Sequence, residues 1–231
     1  MDKKSGFLLI NKPSGPTSHD IIDELRRITG IRKIGHAGTL DPFASGLLIV
    51  AVGREATRNI SRLVKLDKTY VAKLKLGATS DTYDCTGKIT PTPVIPSESR
   101  EAGRVEGSHI KKALKQFEGE QEQVPPMFSA KKVKGKKLYE LARKGVEVER
   151  KPATIIIERL KLLKYEHPYI IIEGKVSSGT YIRSLAHDIG QKLGCGAYLE
   201  ELERIEIGEY KLKDAMSTDK LTPENWEKSL F

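Results

Sequence analysis

At 231 residues, with 38% hydrophobic and 31% charged side chains, the chain has the make-up of a water-soluble globular protein able to bury a sizeable core. Forty Lys and Arg against thirty-one Asp and Glu leave a net charge of +9, which points to a polyanionic partner or to plain solubility charge. Cys85 and Cys195 form no CxxC pair, which argues against a disulfide framework or a zinc site and fits a reducing cytoplasm, and no apolar run approaches a signal peptide or a membrane helix.

In chain order, Phe7 to Ile10 reads as a short strand stopped by Asn11-Lys12-Pro13-Ser14-Gly15-Pro16. Thr17, with Asp20 three residues on, is a capping-box signature, and Ile21, Leu25 and Ile28 continue at helical spacing to a stop at Gly30. Next comes Gly35-His36-Ala37-Gly38-Thr39-Leu40-Asp41-Pro42-Phe43-Ala44-Ser45-Gly46, too rich in glycine for a helix and too broken for an ordinary strand. Pro42 biases Asp41 toward an extended conformation. Spacing alone fits a tight turn with a capping Asp as well as a carboxylate displayed for chemistry.

The strand-like run Leu47 to Val52 follows, then a short helix around 56–65. Thr69 to Leu76 alternates, with Tyr70, Ala72, Leu74 and Leu76 on one face and Lys73 and Lys75 on the other. Residues 77–87 are turn-like, and 90–108 are rich in Pro, Ser and Gly, as in a surface connection. Within the turn, Thr79 to Asp84 resembles a calcium loop only superficially, since the terminal bidentate Glu is missing. Ile110 to Phe117 suits a short helix, Ile155 to Ile157 and Tyr169 to Ile172 two strands with Glu166-His167-Pro168 at the tip, and Leu185, Ile189 and Leu193 a helix ending at Gly194.

Charge concentrates between Lys131 and Lys151, where nine basic residues face three acidic ones. This glycine-punctuated excursion, with a short helical piece over 138–144, fits a flap over a phosphate backbone or a solvated charged loop. Val176 to Ser184 runs from strand to helix, so Arg183 in the first turn can pair with a carboxylate or phosphate, or pack on a surface Glu. Tyr181 offers a hydroxyl or a stacking face. Walker A, strand-bound GxGxxG and HExxH patterns are missing from the sequence, so neither a nucleotide cofactor nor zinc is indicated.

Taken together, the ordered motifs resemble the bacterial tRNA pseudouridine synthase B (TruB) family. They are Asn11 to Ser18, Lys33 to Pro42, Lys68-Thr69-Tyr70, Gly77 to Asp81 with Asp84 and Gly87, Pro125 to Ala130 with Leu138 to Arg143, Ser178 to Ala186, and Ala197-Tyr198-Leu199. The resemblance implies cofactor-free, metal-free isomerisation of a uridine in the tRNA T-loop, at position 55, to pseudouridine. It implies Asp41 as the catalytic aspartate, Arg183 as the arginine that pairs with it, and Tyr70 as a tyrosine stacked on the target base. His36 matches a histidine near the flipped nucleotide, Tyr181 and Leu199 match pocket positions, and Lys12, Lys131 and Lys132 are expected RNA contacts.

The implied fold is α/β (α+β in detail), a pseudouridine synthase fold with a mixed, mainly antiparallel sheet, flanking helices and the active cleft across its middle. A single catalytic domain is expected over 1–231, with a basic thumb over about 123–150. The implied partner is the T-arm stem-loop of tRNA, met by a cytoplasmic monomer. Two departures stand out. Family members usually continue into a small RNA-binding PUA domain, whereas only about 30 residues follow Leu199 here. The Leu202-Glu203-Arg204 stretch also carries an acid where basic residues are more usual, which weakens one expected backbone contact.

Overall fold

The computed structural model describes residues 5–92, 105–129, 131–133, 135–142, 144–146 and 148–231, with the side chains of 132, 133, 136 and 137 outside that description. The surface connection expected over 90–108 therefore lies largely outside the described residues. The first half of the chain runs β1 (Gly6–Lys12), α1 (Ser18–Thr29), β2 (Ile34–His36), β3 (Ser45–Val52), α2 (Arg54–Val64), β4 (Lys68–Leu76), β5 (Ala78–Ser80) and β6 (Ile89–Pro91). It continues with α3 (Gly107–Lys115), β7 (Gly119–Gln123), β8 (Lys132–Val133), β9 (Lys136–Lys137) and α4 (Leu138–Ala142). The last elements are β10 (Ala153–Glu166), β11 (Tyr169–Val176), α5 (Ile182–Lys192), β12 (Ala197–Ile207), β13 (Tyr210–Lys211) and three short 3-10 turns. The mixed α/β class with mainly antiparallel pairing is as expected from the sequence.

Two compact units divide the chain, one of residues 1–71 with 202–231 and the other of 72–201, so the boundaries fall inside β4 and β12. In the first unit the strand order is β1-β3-β12-β4, with β2 also on β3 and β13 on β12. β1 and β2 run antiparallel to β3, whereas β12 meets β3 in parallel through Glu203 opposite Ser45 and Arg204 opposite Gly46. The unbroken apolar run of β3 is explained by burial on both faces. Leu48, Val50 and Val52 pack with Leu8, Ile10 and the Ile21, Ile22 and Leu25 stripe of α1. Leu47 and Ile49 pack on the opposite side with Ile207 and the α2 residues Ile60 and Leu63.

Helix α1 begins and ends as its sequence predicts. The Thr17 side chain accepts from the Asp20 backbone N–H while the Asp20 carboxylate accepts from the Thr17 N–H, and Gly30 closes the helix at φ 67°. In the second unit the order is β4-β11-β10-β7, and α5 packs its buried Leu185 and Ile189 inward. The β10–β11 hairpin carries register shifts between Ile157 and Arg159 and between Leu162 and Lys164. The short helix expected over 138–144 is present as α4 over its described residues Leu138–Ala142, and the Gly145 and Val146 N–H groups turn back onto the Ala142 and Leu141 carbonyls, a helix-closing turn at a positive-φ glycine.

Candidate functional site

In the first unit, Asp41 lies in the loop between β2 and β3, half-buried. Its carbonyl accepts the Ala44 N–H at 3.1 Å, closing a turn that places Pro42 at the second position. The segment linking β1 to α1 ties this turn down. The Gly15 N–H donates to the Pro42 carbonyl at 2.8 Å, and Ser14 Oγ to the Phe43 carbonyl at 2.8 Å. Buried Ser18 Oγ donates to the Leu40 carbonyl and accepts the Leu40 N–H, at 3.1 and 2.9 Å. The loop's polar backbone is thus satisfied by groups that the sequence places just before and at the start of α1.

Lys12 is wholly buried, and its Nζ donates to the carbonyls of Pro13 at 2.7 Å, Pro16 at 2.8 Å and Pro42 at 3.4 Å. Burial pushes its pKa down to about 8; the Asp41 carboxylate opposes that fall, and the Arg204 guanidinium adds to it. His36 ends β2 beside the loop, with the His19 ring edge-on at 6.1 Å between centroids. Burial holds its imidazole down at about 4, helped by the charges of His19 and Arg204 and opposed by a hydrogen bond with the Gly38 backbone. Its Nδ1 is buried without a hydrogen-bond partner among the described residues. Tyr70 lies half-buried on β4, flanked by Thr69, whose Oγ1 donates to Glu206 at 3.0 Å, and by Lys68 two residues earlier, whose Nζ donates to the Val64 and Leu66 carbonyls.

In the second unit, Arg183 occupies the first turn of α5, buried to 5% exposure, with Nη1 at 3.4 Å from the Asp84 carboxylate. The guanidinium also donates to the Thr82 and Phe128 carbonyls at 3.3 and 2.7 Å. Asp84, in the stretch with the superficial look of a calcium loop, spends its Oδ1 on Thr82 Oγ1 and on the backbone N–H and hydroxyl of Thr86. Its carboxylate thus serves as a buried anion anchor. Leu199 bridges Asp84 and donates its N–H to the Tyr83 carbonyl. Tyr181 caps α5, and Gln123 clamps it by accepting its N–H at 2.8 Å and donating to its carbonyl at 3.0 Å. Lys131 is exposed ahead of the β8–β9 hairpin, and the side chain of Lys132 lies outside the described residues.

Asp41, Lys12, His36 and Tyr70 therefore belong to the first unit, and Arg183, Tyr181, Leu199, Lys131 and Lys132 to the second. Two residues gain importance that spacing alone does not supply: Asp84, the buried partner of Arg183, and Arg204, a buried cation on β12. Their signals are faint but real. Asp84 is an acid set between two threonines at i±2, and Arg204 falls at the inward parity of Leu202. Among the described residues no cluster of three or more His, Cys, Asp or Glu could hold a metal ion, and no helix is long and apolar enough to cross a membrane.

Comparison with known proteins adds sequence and fold likeness to this geometry. A family model described as the TruB family pseudouridylate synthase N-terminal domain matches residues 26–182, and one described as the tRNA pseudouridylate synthase B C-terminal domain matches 183–230. A relative from Protochlamydia amoebophila (strain UWE25), named tRNA pseudouridine synthase B, is 47% identical over 98% of this chain and 83% of its own length. One of the same name from Chlamydia muridarum (strain MoPn / Nigg) is 48% identical over 94% of this chain and 86% of its own. Among solved structures, a chain of a Cbf5-Nop10-Gar1 complex superposes with a TM-score of 0.69 at 31% identity, covering 92% of this chain and 52% of that one. An H/ACA RNP bound to a substrate RNA containing 2'-deoxyuridine gives 0.68 at 28% identity, covering 96% and 55%. This chain spans about half the length of those solved chains.

Proposed function

Because the chain belongs to the TruB family of pseudouridylate synthases, we propose that it acts on the T-arm of tRNA, converting the T-loop uridine at position 55 with Asp41 as the reacting carboxylate. It is a tRNA pseudouridine synthase, an isomerase of tRNA uridine. In that reaction the uracil N1–C1′ bond breaks, the base turns, and C5 bonds to C1′. The C5 proton leaves and N1 ends protonated, so no atom is gained or lost. Attack at C1′ and proton abstraction from the sugar to give a glycal both require an ionised carboxylate held against the ribose.

The observation that carries the assignment is the pinning of the Asp41 turn by Lys12, Ser14, Gly15 and Ser18 while Asp41 itself stays half-exposed. A carboxylate used only to cap a turn needs no such scaffold. Tyr70 supplies the face for the extruded base, His36 a neutral ring for the RNA loop, and Arg183 the permanent cation of the reaction. Extruding the base costs a few kcal/mol of stacking, offset by phosphate contacts to Lys131, Lys132 and the rest of the basic thumb over 123–150. Tyr181 faces the base pocket with the wholly buried Leu199 behind its wall. Lys12, expected from the sequence to contact RNA, is instead wholly buried with its ammonium on backbone carbonyls and braces the loop from within. The protein works as a cytoplasmic monomer, needing neither metal nor cofactor.

The test is incubation with unmodified tRNA transcript followed by mapping of pseudouridine by position. The expected product is a single T-loop pseudouridine, and Asp41→Asn should lose at least about 1,000-fold in rate while binding transcript within a few-fold of wild type. Modification at another position would reassign the substrate. Tight binding without product would make the chain an RNA-binding module, and an active Asp41→Asn would remove Asp41 from the chemistry.

A further inference from the structure

We propose that Arg204 is a positioning residue for Asp41, holding the β2–β3 loop at both ends so that the carboxylate is presented at one fixed place; the inference rests on Asp41 being the reacting group. Arg204 sits on β12 with 1% of its surface exposed. Its Nε donates to the Leu47 carbonyl at 2.8 Å and its Nη2 to the Gly38 carbonyl at 3.0 Å, so one guanidinium spans the residues where the loop leaves β2 and enters β3.

The backbone of Arg204 closes the same clamp. It stands opposite Gly46 in the parallel pairing of β12 with β3, so close that a Cβ at Gly46 would lie 2.3 Å from the Arg204 carbonyl oxygen. Gly46 also has φ 106°, which side-chain-bearing residues rarely adopt. The Asp41 turn lies between these two fixed points, and Ser14, Gly15 and Ser18 hold its crest from the other side.

The chemistry of the side chain fits this task better than simple packing. Burying a guanidinium is costly, and an apolar residue of similar volume would serve a strand as well or better. Here the partners shown for the buried cation are two backbone carbonyls, each met by a different nitrogen of one rigid, planar head, so their relative placement is fixed by the guanidinium itself. Its charge is also felt across the loop, since it lowers the proton affinity of Lys12 and His36. A lysine in its place keeps the charge but offers one nitrogen on a rotatable stem, without the rigid spacing between two donors that sets the two carbonyls relative to each other.

The experiment compares Arg204→Lys and Arg204→Met with Leu202→Ala, a loss of buried apolar surface on the same strand. Single-turnover pseudouridine formation on unmodified transcript, transcript Kd and thermal unfolding are measured for each. The proposal expects Arg204→Lys to fold, to bind transcript within about twofold, and to react on the order of 100-fold more slowly, the cost of misplacing a reacting group by about 1 Å. Arg204→Met should be slower still, whereas Leu202→Ala should lose stability and keep its rate within about threefold. Should Arg204→Met fail to fold, Arg204→Lys still decides. A wild-type rate in Arg204→Lys, or an equal rate loss in Leu202→Ala, overturns the clamp. Wild-type turnover measured alongside reports separately on the reading of Asp41.

Discussion

His36 enters the folded protein as a neutral imidazole. Its pKa of about 4 lies below the ordinary 6.5, so between those values the unfolded chain binds more protons than the native one. Stability is therefore lost as pH falls from about 6.5 toward 4, by about 2 kcal/mol from this group at pH 4.5. Urea unfolding of wild type and His36→Asn at pH 7.5 and 4.5 checks this: the variant should lose less stability on acidification by about that amount, and equal losses would refute it. Lys12, with a pKa near 8 against 10.5, gives the same sign in a different window, stability rising with pH between those values. At this scale the sequence is only partly legible. Asp41, Tyr70 and Arg183 can be picked out because their residue types stand in ordered motifs. That Lys12 spends its ammonium on three proline carbonyls, or that Arg183 stands against Asp84, follows from tertiary neighbours that no spacing encodes.

Elements whose signals are local agree with their sequence, and those whose signals depend on partners do not. Helix α1 is fixed by the Thr17–Asp20 box, its apolar stripe and Gly30, all within its own residues. Strand β12 is far less legible, because one of its inward positions is Arg204, which an apolar-in, polar-out rule assigns to solvent. Strand β10 is legible only in part: Ile156 is exposed by plain alternation between buried Ile155 and Ile157, and the register shift that follows moves the inward parity to Leu160 and Leu162, leaving Leu163 exposed. The same contrast between local and tertiary constraint separates two glycines. Gly30 has φ 67° and open space around its Cβ position, so Gly30→Ala meets only the left-handed backbone penalty, about 1 kcal/mol. Gly46 combines φ 106° with a 2.3 Å approach to the Arg204 backbone, so Gly46→Ala must push β12 from β3 and should cost at least about 3 kcal/mol. Denaturant midpoints for the two variants measure the difference, and similar losses would mean that the close approach is not a real constraint.

Over the whole molecule the informative quantity is charge. The net of +9 is unevenly held, because residues 131–151 alone carry nine cations against three acids, while β10 and β11 neutralise much of their own charge through the Arg159–Glu173 and Lys175–Glu158 pairs. Such exposed pairs add little to stability, but they remove positive charge from one sheet surface and leave the excess elsewhere. A polyanion bound through that excess releases counterions in proportion to the phosphates neutralised. With roughly five phosphates engaged, transcript affinity should fall on the order of 100-fold between 50 and 200 mM salt. With Asp41 on its pinned turn as the proposed reacting group, the catalytic step involves no net phosphate neutralisation. Its single-turnover rate at saturating transcript should therefore change by no more than about twofold over the same range. Filter binding and single-turnover kinetics across the salt series separate the two. Affinity indifferent to salt would assign the basic excursion to solvation alone, and a rate that fell in step with affinity would show the charged segment acting on the chemistry as well as on capture.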